Sequence, residues 1–236
     1  MGFATSKVLA CASNIFHVIM ASRSIEKAKT AMSEIEAAGT KGTLSTVQMD
    51  VTDEKSVKEA VMRVLQKFGR LDVLVNNAAS GSMDPNVKTR FQLCLETNVM
   101  GPAMVSIAFR PLLLKSQNPY SIYVGAGPRS IVRHAAQRAT THDNIRNGDA
   151  YQVSKAALNV LAVVEAGEYG PQGLKVFVMS PGFVRSNLRG PSEDARSGWG
   201  KAGDPEVAGE LVLNIVEGKR DADVGLFVHR DGVYPW

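Results

Sequence analysis

Apolar positions along this chain recur in two rhythms, short unbroken runs and longer stretches with a repeat of three to four residues. Residues 2–13 carry the longer rhythm, with Phe3, Val8 and Leu9 as core candidates and Asn14 as a stop. Residues 15–21 form a short apolar run that predicts a buried strand. His17 lies inside that run and is expected as a packed residue rather than a ligand, because nothing near it has metal-ligand spacing. Ser24 opens a helical pattern that stops at Gly39, and residues 44–49 predict a second strand. Thr52 or Asp53 can cap a helix that runs to about Phe68. Residues 71–75 predict a third strand, followed by Asn76-Asn77-Ala78-Ala79. Two helical stretches lead to about Lys115, and residues 121–124 predict a fourth strand. A helix containing Tyr151, a strand at 175–179, a helix at 205–217 and a strand at 224–228 complete the pattern.

Strands alternating with helices predict the α/β class, a parallel sheet with helices on both faces, and the repeat favours one domain over residues 1–236. Such sheets bind ligands beyond the carboxyl ends of their strands, near the point where strand order reverses. Asp50, Asn76, Gly125, Tyr151 and Pro181 all fall at that end. Two polar stretches are expected to wall the substrate cleft. One is 127–149, with Arg129, Arg133, Arg138 and Arg146; the other is 185–204, rich in Gly, Ser and Arg.

Composition narrows the partners. The formal net charge is +4, but the basic residues are scattered with no run of five or more, which argues against nucleic acid. The longest apolar runs fall far short of a membrane span. Cys11 and Cys94 have no zinc-type spacing. Without a recognisable secretory signal both are expected to be reduced, in a cytoplasmic setting.

The chemistry gathers at Asp149-Ala-Tyr-Gln-Val-Ser-Lys155. Four residues on a helix bring Tyr151 and Lys155 to one face, a turn apart. A phenol with an ordinary pKa of about 10 is a poor acid at neutral pH, and an adjacent ammonium lowers that value. Such a tyrosine can exchange a proton with an alcohol or carbonyl oxygen. Taken alone, the same spacing also describes a surface pair; its neighbours give it weight.

Those neighbours are Asp50-Val51, Asn76-Asn77-Ala78-Ala79, Asn98 in Thr-Asn-Val-Met-Gly, and Pro181-Gly182-Phe183-Val184-x-Ser186. In their order and spacing, together with Tyr151 and Lys155, they resemble the short-chain dehydrogenase/reductase family over nearly the whole chain. The Ala-Leu-Asn after Lys155 and the closing Asp231-Gly232-Val-Tyr-Pro-Trp236 resemble fungal members of the carbonyl-reductase type. The resemblance implies a Rossmann-type doubly wound sheet and an oxidoreductase that interconverts a carbonyl and an alcohol on a small organic substrate, in the setting of secondary metabolism. It casts Tyr151 as acid/base, Lys155 as the holder of the nicotinamide ribose, and Asn98 as the anchor of a water in a proton relay. Asp50 would meet the adenine, Asn77 would line the cofactor cleft, and Val184 and Ser186 would contact the carboxamide. Arg23 follows the first strand candidate, where an arginine suits a 2′-phosphate, so the expected cofactor is NADP, as NADPH. Family members commonly form homodimers or homotetramers through the two long helices beside the fourth strand.

Two departures stand against this pattern. The family begins with a central strand and a glycine-rich loop that cradles the pyrophosphate. Here only Gly2 corresponds to that loop, and about a dozen residues are expected to be missing before it. A truncated or misannotated start is the expected cause, with a weakened sheet and cofactor site as its result. The opening Met-Gly-x-x-x-Ser also fits an N-myristoylation pattern, but the glycine-loop remnant is the expected explanation, since residues 3–9 are expected to be needed for core packing. The second departure follows the fourth strand, where Gly125 and Ala126 stand in place of the family's two serines; Ser130 is the nearest substitute donor. The alternative expectation is therefore a catalytically decayed or truncated homologue with a binding or scaffold role.

Overall fold

The computed structural model describes residues 1–127, 132, 135 and 148–236. Its elements follow the apolar rhythm closely. Helix α1 (Gly2–Ala12) leads to strand β1 (His17–Ser22), helix α2 (Ile25–Ala37), strand β2 (Thr43–Gln48), helix α3 (Glu54–Phe68) and strand β3 (Val73–Asn76). Helix α4 (Val87–Leu95) passes through a widened turn, Glu96–Met100, into α5 (Gly101–Leu113), and β4 (Tyr120–Val124) follows. After residue 148 come α6 (Asp149–Tyr169), β5 (Lys175–Met179), a short α7 (Glu193–Arg196), α8 (Glu206–Val216), β6 (Phe227–His229) and β7 (Gly232–Tyr234).

Local chemistry sets several of these boundaries. Ser24 caps α2 through its hydroxyl, which accepts from the Lys27 amide at 3.3 Å. Asp53, rather than Thr52, caps α3 by accepting from the amides of Lys55 and Ser56. That helix ends at Gly69, whose φ of 73° is left-handed backbone that glycine adopts without strain.

The strands form two sheets. β1 and β2 pair in parallel, and β3-β4-β5-β6-β7 form the second sheet, parallel except for the last pair. β1 and β3 do not pair with each other. The break falls where the sequence analysis expects a central strand, and each of these strands keeps one open edge of backbone groups. Helices cover both faces. Val64, Val105, Leu112, Leu158 and Ala162 share one core with Leu74, Val176 and Val178. Leu211, Val212 and Ile215 of α8 share the other with Ile122, Phe177 and Met179, and Leu9 of α1 packs against it. Alternate residues of β4 and β5 thus serve opposite faces, the mark of a doubly wound sheet.

Four expectations need correction. Ile15 is 80% exposed and lies in a turn, so β1 starts at His17. His17 is exposed, not packed: its ring bonds the hydroxyls of Thr43 and Ser45 and tilts against Phe68. Phe3 is 42% exposed, and α1 buries Ala4, Thr5 and Ala10 instead. The closing strand is a hairpin, β6 antiparallel to β7, with Arg220 donating to the carbonyls of His229 and Gly232 at its ends. Among the described residues no helix is long and apolar enough to cross a membrane.

Candidate active site

Helix α6 carries Tyr151 and Lys155, and its first turn is clamped from outside. Arg90 of α4 is 7% exposed and holds Asp149 with two parallel bonds, Nε to Oδ1 at 2.8 Å and Nη2 to Oδ2 at 2.9 Å. Its Nη1 donates to the carbonyl of Pro85. The Arg90 bonds hold the Asp149 carboxyl below its ordinary range, helped by the Ala150 amide. A bidentate pair fixes direction as well as distance, so the start of α6 is registered against α4 two residues before Tyr151.

Lys155 is 1% exposed. Its Nζ donates to the Val124 carbonyl, the last of β4, at 2.8 Å. It lies 5.9 Å from the centroid of the half-buried Tyr151 ring. Burial pulls the Lys155 ammonium from the ordinary 10.5 down to about 8. The phenol and the amine therefore meet at the carboxyl end of β4, as the four-residue spacing predicts.

Asn98 is fully buried inside the widened turn between α4 and α5. Its Nδ2 donates to the Ser80 carbonyl at 2.8 Å and to Ser154 Oγ at 2.9 Å, and its Oδ1 accepts from the Ser80 amide at 2.8 Å. Both amide hydrogens are thus committed to protein. Ser154 in turn donates to the Tyr151 carbonyl at 2.8 Å. Asn98 ties the segment after β3 to α6, one turn from the phenol. Wide turns of this kind recur at functional positions in helices.

The remaining expected residues lie around the same strand ends. Asn77 follows β3 and faces the start of α1: a Cβ built on Gly2 would stand 3.0 Å from Asn77 Nδ2. Glycine at position 2 keeps that approach open. No side chain caps α1, so its first amides point outward with the positive end of the helix dipole. Asp50 follows β2; the amide and hydroxyl of Thr52 and the charge of Arg23 keep its carboxyl below the ordinary range, with the Thr52 amide foremost. Arg23 is exposed at the end of β1. Val184 is buried and bridges to Gly203. Ser186 caps the turn Asn187–Arg189 by accepting from the Leu188 amide at 3.1 Å. These groups suit a dinucleotide with an anionic phosphate portion: an uncapped helix start, a cation beside Asp50, and a buried ammonium at the end of β4.

The missing hydroxyls have a packing explanation at one of the two positions. A Cβ on Gly125 would lie 2.7 Å from Val178 Cγ1 and 3.2 Å from Asn159 Oδ1. That amide oxygen is buried and has no hydrogen-bond partner among the described residues. Ala126 offers no donor. Ser130, Arg129, Arg133, Arg138 and Arg146 lie outside the described residues.

Sequence reasoning overlooked Ser80, Ser154, the Arg90–Asp149 clamp and Arg189. Ser154 had a signal, since it immediately precedes Lys155 on the same helix. The other three depend on contacts between distant segments and leave no local pattern.

A family model described as short chain dehydrogenase matches residues 1–197. The short-chain dehydrogenase/reductase tropE of Talaromyces stipitatus is 31% identical, over 98% of this chain and 92% of that protein. The short-chain dehydrogenase/reductase eupG of a Phoma species is also 31% identical, over 100% and 94% of the two chains. Among solved structures, a metagenomic short-chain oxidoreductase in complex with NADP superposes with a TM-score of 0.73 at 22% identity, covering 100% of this chain and 92% of that one. The NADPH-bound carbonyl reductase from chicken fatty liver gives 0.74 at 22% identity, covering 93% and 87%.

Proposed function

This chain belongs to the short-chain dehydrogenase family, and from that premise we propose an NADP-dependent oxidoreductase that interconverts a carbonyl and an alcohol on a small organic molecule. The observation that carries the reading is the Lys155 ammonium, buried at the end of β4 beside the Tyr151 ring. A charge is costly to bury without a carboxylate partner, and such sites are where function is found. The proposal includes a substrate drawn from secondary metabolism, as the resemblance to fungal members of the carbonyl-reductase type implies.

In this reading a nicotinamide, when bound, supplies the hydride. The protein positions the carbonyl and supplies the proton. Tyr151 donates its phenolic proton to the developing alkoxide, and Lys155 stabilises the phenolate left behind. Asn98 and Ser154 hold α6 so that the phenol keeps its place. Arg23 and Asp50 receive the adenosine end, with Arg23 directed at a 2′-phosphate. The start of α1 and Asn77 face the phosphates. Val184 and the Ser186 turn lie at the nicotinamide end.

Titration calorimetry tests the cofactor choice. NADPH is expected to bind at least about tenfold more tightly than NADH, and Arg23→Ala to abolish the difference. A preference for NADH rejects the assignment. NADPH oxidation with a panel of ketones and aldehydes then tests turnover. Gly125 and Ala126 favour a second reading, a homologue that keeps the cleft without catalysis. Tight NADPH binding with no turnover on any carbonyl would select it.

The low pKa of Lys155 sets a pH dependence with opposite signs for activity and stability. Below pH 8 the group is an ammonium and supports the phenolate. As pH rises through about 8 that support is lost, so kcat/KM for carbonyl reduction is expected to fall on the alkaline side. Folding responds the other way. The unfolded lysine titrates near 10.5, so the unfolded chain holds more protons between pH 8 and 10.5, and stability gains as pH rises through that window. A pH–rate profile and urea melts over the same range read both effects.

The exposed faces of α5 and α6 carry Ile107, Val160 and Val164, each more than half exposed. They support a homodimer or homotetramer built through these two helices.

A further inference from the structure

Arg189 has no part in the reading above, yet it is held beside the same cluster. Its Nε donates to the Ala195 carbonyl at 2.9 Å, and its Nη2 donates to the carbonyls of Val184 at 2.8 Å and Arg196 at 2.9 Å. The guanidinium lies over the Phe183 ring, 4.5 Å from its centroid. Three of its donors are therefore spent on neutral carbonyls. Among the described residues nothing accepts from Nη1, and no carboxylate pairs with the ion. Arginine stays protonated at any physiological pH, so among the described residues this positive charge has no carboxylate to balance it in a partly dehydrated setting.

The placement of that charge is constrained from two sides. Leu188, its neighbour in the turn, has its carbonyl oxygen 3.6 Å from a Cβ built on Gly81, adjacent to the Ser80 that grips Asn98. From the side of α6, the Tyr151 phenol interacts electrostatically with Arg189. Arg189 thus belongs to the segment that packs against Gly81, next to the Ser80–Asn98–Ser154 bonds that hold the Tyr151 turn of α6. Arg196 lines a depression of about 380 Å³ together with Asn187, Gly190 and Pro191, and its buried Nε has no acceptor among the described residues.

We propose that Arg189 selects substrates that carry a carboxylate a few atoms from the reacting carbonyl, and that Nη1 is the donor that meets it. The inference rests on the oxidoreductase reading and names its substrate class. A preorganised guanidinium loses little entropy on binding, and partial dehydration strengthens its attraction for a carboxylate. Arg189 is a specificity-determining residue in this account; Tyr151 and Lys155 remain the proton machinery.

The test compares para-formylbenzoate with its methyl ester, which presents the same aldehyde without the charge. Wild-type protein with NADPH is expected to prefer the acid. In Arg189→Gln the acid-to-ester ratio of kcat/KM should fall roughly 100-fold, and Arg189→Lys should recover part of it. The ratio is insensitive to a general loss of folding, because both substrates share one enzyme. An unchanged ratio overturns the proposal, whether both rates fall together or neither does. Calorimetry with para-(hydroxymethyl)benzoate and NADP supplies a readout without turnover. If neither aldehyde reacts but the acid binds in an Arg189-dependent way, the carboxylate site stands and the oxidoreductase reading falls. If the ester reacts and the acid neither binds nor reacts better, the reverse holds.

Discussion

Tyr151→Phe is expected to lower kcat for carbonyl reduction by about a thousandfold while leaving NADPH affinity within a few-fold of wild type. The ring still packs in its half-buried place on α6, so the cleft keeps its shape. Only the hydroxyl is lost, and with it the proton that the developing alkoxide requires. Lys155 cannot take over that step. Its Nζ is buried and already bonded to the Val124 carbonyl. The measurement is single-turnover reduction followed by NADPH absorbance, with cofactor affinity determined separately. Retention of more than a tenth of wild-type kcat would remove Tyr151 from its role and would turn attention to Ser130 or to a donor on the substrate itself. A loss shared equally by kcat and NADPH binding would mean that the phenol shapes the cofactor site.

The largest effect on stability is expected away from the cleft, at Glu165. This carboxylate is 3% exposed on the inner face of α6. Its Oε2 accepts from Ser121 Oγ at 2.7 Å and from the Tyr123 hydroxyl at 2.8 Å, and Arg110 donates to Oε1 at 3.3 Å. Arg110 also donates to the Tyr169 hydroxyl and stacks on its ring at 3.8 Å. On the far side Asn76 Nδ2 donates to Ser106 Oγ, which bonds the Tyr123 hydroxyl. The donors run in one direction, Asn76 to Ser106 to Tyr123 to Glu165, so every link depends on the acceptor at the end. Burial and the Glu165 charge push the Tyr123 phenol well above its ordinary value, which keeps it a donor at any working pH. Glu165→Ala strands two buried hydroxyls and a guanidinium whose Nε already lacks a partner among the described residues, and should cost about 3–5 kcal/mol in urea unfolding. Glu165→Gln keeps an acceptor oxygen and should cost markedly less. Equal losses for the two variants would show that side-chain volume, not the carboxylate, matters there.

Legibility in the sequence followed the range of the interactions involved. The parallel strands were readable because β4 and β5 are buried on both faces and, Ser121 and Lys175 apart, carry apolar or aromatic side chains. Tyr151 and Lys155 were readable because one helical turn fixes their relation. His17 misled because it sits in an apolar run, although its ring is satisfied at the surface by Thr43 and Ser45. The final hairpin was missed because three-residue strands are too short to show alternation, and its register is set by Arg220 from another segment. Glu165 reads as an ordinary charged position in Glu-Ala-Gly-Glu, and only the hydroxyls brought beneath it by β4 make its burial tolerable. The turn around Asn98 leaves no local mark, since an extra residue in a helical turn has no composition of its own. Arg189 reads in sequence as part of a polar loop, because the three carbonyls that close around it come together only in the fold.

The grip of Arg90 on Asp149 has a consequence for how such a catalyst can change. It anchors the first turn of α6 to α4, independently of whatever residues lead into it from upstream. Insertions, deletions and substitutions upstream can then accumulate without dragging Tyr151 out of line. Novelty and reliability are kept on separate pieces of chain, and a single planar ion pair marks the seam between them.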